Sequence, residues 1–241
     1  VVSLALEHGV AIATERLKHL PKGRRGDGSG RAFRRKQHRF AYASLLRKVH
    51  SLARKRGVQV VEVNPQDTST IGMLKYAPLL SLSKDVAAAY VIGRRALGFE
   101  EKLPKGYGKL LGDEAFLAYA QRFYQTRAKE LREQKKATRD RSRKNRLSRE
   151  LKKAQGALSL LSSLQGSSGS QREVTDGRNS PGVNPWRVLR VGLFLPLLGK
   201  AVPRDLSPLK VFLHRGAWKG WGSSLGPHPG GGPECANVRS A

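Results

Sequence analysis

VAIATE, from Val10 to Glu15, and VQVVEV, from Val58 to Val63, are two short apolar runs rich in β-branched residues. That composition belongs to buried strands. Between them the spacing predicts a helix over about 36–56. Tyr42, Leu45, Leu46, Val49, Leu52 and Ala53 recur at helical intervals, and Arg47, Lys48, Arg54 and Lys55 take the opposite face. Gly57 stands where a helix C-terminus expects a glycine. Strand, long helix and strand are the parts of a βαβ unit, so the two strands should pair in parallel in an α/β fold.

Outward from this unit the signals weaken. Residues 1–8 read as the end of a helix broken by Gly9, and residues 16–35 as a basic, glycine-rich loop. Asn64-Pro65 closes the second strand, and a short helix is expected over Ile71 to Leu80. Ser83 suits an N-cap for a helix running to about Leu97, with Gly98 behind it. Ala87, Ala88 and Ala89 would let that helix lie close on a sheet. Residues 113–155 read as one strongly charged helix, solvated or resting on a phosphate backbone. From Gly156 the composition shifts to Ser, Gly and Pro, the signature of a linker or a disordered tail. Pro185 to His214 is a more apolar island, expected to dock, and 220–241 should be disordered. The chain thus divides into 1–110, 111–155 and 156–241.

Charge narrows the function. Lys and Arg number 46 against 18 acids, a formal net charge of +28 over 241 residues. Such an excess repels itself unless a polyanion neutralises it, and nucleic acid gains most from the exchange because each neutralised phosphate releases counterions. Nucleic acid, DNA and with it RNA, is the expected partner, with an anionic membrane surface as the rival reading. No run reaches the roughly 18 apolar residues that span a bilayer; Val191 to Leu198 is too short and carries Gly192 and Pro196. Cys235 is the only cysteine, which rules out an intramolecular disulfide and a cysteine-rich zinc site. A single cysteine fits a reducing cytoplasm. His19, His38, His50, His214 and His228 show no ligand spacing. Gly23 to Gly30 lacks the Gly-Lys-Ser/Thr of a phosphate-binding loop. Trp186, Trp218 and Trp221 suit either base stacking or the anchoring of an apolar segment.

Two carboxylates stand out by position. Glu15 lies at the carboxyl end of a strand, where α/β sheets gather their ligands. Asp85 lies in the first turn of a helix, where the macrodipole favours an ionised carboxylate. A pair of acids from such places could hold Mg²⁺, which prefers hard oxygen ligands. Position alone also allows a surface acid paired with Arg16 or Lys18, and an ordinary helix-start acid.

The run FAYASLLRKVHSLARKRGVQVVEVNPQDTST, Phe40 to Thr70, resembles the TnpB (OrfB) transposase family. That family shows an aromatic-anchored helix, a Gly, a strand ending near Val-Asn/Asp-Pro, and Thr-Ser shortly after. AIATERL, Ala11 to Leu17, is similar to the segment bearing the family's second catalytic carboxylate, which places that role on Glu15. DVAAAYVI, Asp85 to Ile92, resembles its third motif, Asp-x-Asn-x-Ala-x-x-Ile, and places that role on Asp85. The resemblance covers roughly 1–110, with a fainter echo over Pro185 to Pro208.

It implies a partial RNase H-like (RuvC-type) core and Mg²⁺-dependent cleavage of DNA, with clustered carboxylates holding a metal pair. The expected nucleic-acid-binding residues are Lys22, Arg24, Arg25, Arg34, Arg35, Arg47, Lys48, Lys55, Arg94 and Arg95. Ala87 stands where the family has Asn, and only Ile71 to Lys84 fills the place of a four-Cys zinc module, so no zinc is expected. The family's first catalytic Asp has no counterpart among these residues. Two other readings compete: a non-catalytic module that holds RNA or DNA through phosphates alone, and a basic structural protein of a ribonucleoprotein.

Overall fold

The computed structural model describes residues 1–16, 42–165 and 183–215, with the single positions 32 and 35. Helix α1, Val2–Glu7, leads through Gly9 at a φ of +61° into strand β1, Ile12–Glu15. Helix α2, Tyr42–Lys55, precedes strand β2, Val60–Val63. The strands pair in parallel, with Ile12 opposite Val60 and Glu15 opposite Val63. The expected pairing is therefore present, each strand two residues shorter at its start than the apolar runs suggest. The beginning of the predicted 36–56 helix lies outside the described residues. Gly57, at a φ of +72°, turns the chain from α2 toward β2.

Alternation along each strand gives the sheet two unlike faces. Ile12 joins Val2, Ala5 and Ala53 in a small apolar cluster, with Val49, Val58 and Val60 against it, so this face belongs to α1 and α2. Thr14 and Glu62 share that face in register. Ala13, Val61, Glu15 and Val63 point the other way.

After β2 the chain makes a tight turn in which Asp67 takes a left-handed backbone (φ +59°). Helix α3, Thr68–Ile71, runs through a π-helical segment, Gly72–Tyr76, into α4, Ala77–Leu80. The expected helix over Ile71 to Leu80 thus starts three residues early. Helix α5, Lys84–Ala96, opens where predicted, with Ser83 Oγ accepting from the Val86 amide, and ends before Gly98 at φ +82°. It packs on β1, β2, α3 and the π segment.

The alanines of α5 serve a different approach from the one expected. Ala87 and Ala88 present their backbone to Gly72 rather than to the sheet alone. A Cβ on Gly72 would stand 2.7 Å from both the Ala87 carbonyl carbon and the Ala88 nitrogen. Backbone cannot yield as a flexible side chain can. Gly72→Ala is therefore expected to force the two helices apart at a cost of about 3 kcal/mol. Urea unfolding reads this as a lowered midpoint, and an unchanged midpoint would disprove the close crossing.

The charged region is two helices, not one. Helices α6, Lys105–Leu111, and α7, Glu114–Ala137, are followed by α8, Arg141–Gln165, which folds back on α7. Asp113 caps α7, its Oδ1 accepting from the Ala115 and Phe116 amides, and Asp140 does the same for α8 through Ser142 and Arg143. Thr138 leaves the helical backbone at ψ 135°, making the reversal. Leu117, Ala120, Tyr124, Ala128 and Leu131 on α7 are buried at intervals of three and four, as are Ala154, Ala157 and Leu161 on α8. Gly156, read as the start of a linker, is inside α8.

Helix α9, Pro185–Leu198, and helix α10, Leu209–Arg215, complete the described chain. The apolar island does dock: Trp186, Leu189, Leu193, Phe194, Leu209 and Phe212 are all buried. They belong to one cluster running from Ile71 to Leu213, which draws on all three segments marked out in the sequence. The expectations for 166–182 and 216–241 lie outside the described residues. Among the described residues no helix is long and apolar enough to cross a membrane.

Candidate nucleic-acid interface and carboxylate site

Glu15 closes β1 opposite Val63, on the sheet face away from α1 and α2, toward which α5 packs. Its neighbour Thr14 has a buried hydroxyl with no hydrogen-bond partner, but strand alternation turns that group to the other face. Asp85 lies exposed in the first turn of α5. The end of α5 fixed beside the carboxyl end of β2 is the other one. Arg95 donates from Nη1 to the carbonyl oxygens of Asn64 and Gln66, both at 2.7 Å. Ten residues separate Asp85 from Arg95, about 15 Å along the helix axis. No group of three His, Cys, Asp or Glu side chains that could hold a metal occurs among the described residues. Two carboxylates do not by themselves make the donor set of a metal pair.

Among the described residues, the acid most deeply built into the fold is one that the sequence did not single out. Glu101 is 6% exposed, and each of its carboxylate oxygens is engaged. Oε2 accepts from Tyr76 Oη at 2.6 Å and Lys75 Nζ at 2.9 Å, and Oε1 from Arg94 Nε at 2.8 Å. Burial alone works against the charged carboxylate. The hydrogen bonds from Tyr76, Lys75 and Arg94 outweigh it and hold Glu101 below the usual carboxylate range. Burial, and then the bond to Glu101, push the Tyr76 phenol well above its ordinary value. Arg94 also lies over the rings of Phe99, Tyr76 and Tyr90, with its guanidinium carbon 4.6, 5.6 and 6.0 Å from their centroids. Nothing in the sequence marks Glu101, beyond two adjacent acids in a basic chain.

Asp67 is a second structural acid. Its carboxylate accepts from Asn184 Nδ2 at 2.8 Å and from Arg187 Nε at 3.1 Å, which fixes the start of α9 against the start of α3. Between these two acids, at the carboxyl end of β2, lies a cavity of about 340 Å³ bordered by Asn64, Asp67, Arg95, Phe99, Glu101 and Trp186.

The ten basic residues expected to bind nucleic acid fall into three groups. Lys22, Arg24, Arg25 and Arg34 lie outside the described residues, and Arg35 is exposed. Arg47, Lys48 and Lys55 stand exposed on α2, Arg47 bonding to Ser44. Arg94 and Arg95 are instead tied into the fold by the contacts above, which leaves them less to offer a phosphate. Among the described residues, the larger exposed cationic surface is on α7 and α8. His50 lies 3.4 Å from Glu62, and His214 is exposed. Trp186 is a buried anchor, while His19, His38, His228, Trp218 and Trp221 lie outside the described residues.

Comparison with family models, with curated proteins and with solved structures gives no match for this chain.

Proposed function

We propose that this chain binds nucleic acid as part of a TnpB-like, RuvC-type transposon protein, a metal-dependent DNA endonuclease or its remnant. The parallel pairing of β1 with β2 supports this reading most. The resemblance requires the carboxylate-bearing strand and the strand behind the amphipathic helix to be neighbours, as they are in an RNase H-like core. Glu15 at the carboxyl end of β1 and the exposed Asp85 are the candidate Mg²⁺ ligands. A further carboxylate, on a strand added beside β1, would be needed to complete the site.

Ala87, fully buried beside Gly72, offers no polar atom in place of the family's Asn. That departure and the lack of three clustered ligands among the described residues favour the second reading, a phosphate-binding module without catalysis.

The two are separated by incubating labelled DNA and Mg²⁺ with the chain, expressed together with any coding sequence adjoining it in frame. Endonuclease function predicts cleavage that falls to background in both Glu15→Ala and Asp85→Ala. Cleavage surviving either substitution would place the chemistry elsewhere, and binding without any cleavage would leave the module.

A further inference from the structure

Among the described residues, the hairpin of α7 and α8 is rooted in the core at one end. At the root, Gly192 of α9 lies against the Phe116 ring, Tyr119 Oη donates to the Pro196 carbonyl and Tyr124 Oη to that of Val191. Beyond Tyr124, α7 continues for thirteen residues, about 20 Å. Along this stretch Arg127 pairs with Glu130 and with Glu150, both at 3.5 Å, the second pair joining the hairpin's own two helices, and Leu131 and Leu147 on them are buried. From Lys129 to Lys153 twelve Lys and Arg stand against four acids. Lys129, Arg132 and Lys136 follow at intervals of three and four, and Arg143, Arg146 and Arg149 at intervals of three, so each helix carries an exposed cationic stripe. Glu133 interrupts the first of them.

The kind of nucleic acid follows from what this arm lacks. Single strands are held in basic grooves whose aromatic side chains stack the successive bases. Residues 125–165 contain no Phe, Tyr or Trp, and the aromatic residues of α7 all lie at the root. A stiff arm with regularly spaced cations and no stacking platform suits a partner whose phosphates are themselves fixed in space. We infer that the distal half of the α7–α8 hairpin is a sequence-independent clamp for the phosphodiester backbone of a duplex. This rests on the nucleic-acid reading above and narrows it to a place and a partner.

The test measures affinity against salt for a DNA duplex and an RNA duplex of about 20 base pairs and for the single DNA strand. It compares the whole chain with the variant Arg132→Gln, Lys136→Gln, Arg143→Gln, Arg146→Gln. All four side chains are exposed, so a matching urea midpoint is expected and is measured alongside. The charge-matched control is Lys105→Gln, Lys200→Gln, Arg204→Gln, Lys210→Gln, away from the arm.

The arm variant should lose about 100-fold or more in duplex affinity near 0.1 M salt, with a slope shallower by about 3 to 4 units. The control should lose less than a tenth of that, and the wild type should favour duplex over single strand. Whichever duplex suffers the larger loss identifies the backbone the arm fits. An arm variant that binds like the wild type, a control that loses as much, or a wild type indifferent to strandedness would each overturn the clamp. Those results leave nucleic-acid binding standing, whereas a wild type that binds none of the three probes removes both readings.

Discussion

Glu101→Gln should lower the stability of the protein by about 3 kcal/mol, a loss typical of breaking a buried ion pair from one side. The substitution keeps the shape of the side chain but removes the charge on which Lys75, Tyr76 and Arg94 converge. Lys75 and Arg94 keep 18% and 26% of their side-chain surface, so water recovers part of what they lose. The effect therefore belongs at the lower end of the range for fully buried pairs.

Its pH dependence has a definite sign. The folded protein holds the Glu101 carboxyl below its usual range, so the stabilisation is fully present above the unfolded value of about 4.3. It is lost as pH falls through the lower, folded value. The wild type should thus approach Glu101→Gln in stability as the pH drops below about 4. Urea midpoints measured from pH 7 downward check this, and a gap smaller than about 0.5 kcal/mol at pH 7 would mean that the cluster contributes little.

What could be read from the sequence follows the range of the interactions involved. The β1–α2–β2 unit was legible because periodicity and Gly57 are local signals. The same holds for α5, whose Ser83 cap and terminal Gly98 lie where the pattern puts them. The division of the charged region into α7 and α8 was missed. Thr138 and Asp140 are weak breakers in a run of good helix formers, and Asp140 reads as a cap only once the chain is known to reverse there. Gly156 misled in the opposite sense, since a glycine on an open helix face costs only about 1 kcal/mol.

Partners distant along the chain stayed hidden. The alanines of α5 announce a close approach, but nothing local says that Gly72 receives it. Glu101 gathers donors from 7 to 26 residues away, and Asp67 bonds to residues 117 and 120 positions on. Glu15 and Asp85 each stand at the end of an element, as the residues suggest, and the direction of α5 rests on the tie from Arg95 to Asn64 and Gln66.

Nucleic-acid binding is the claim on which the rest depends, and the dependence of affinity on salt tests it most directly. A chain of net charge +28 with cations exposed on α2, α7 and α8 has many phosphate contacts to make. If six to ten of them form, affinity for a DNA duplex should fall by about 10³ to 10⁵ between 50 and 200 mM salt. The logarithm of the binding constant should be linear in the logarithm of the salt concentration. An affinity that stays flat across that range, or no measurable binding at the lowest salt, would contradict the account.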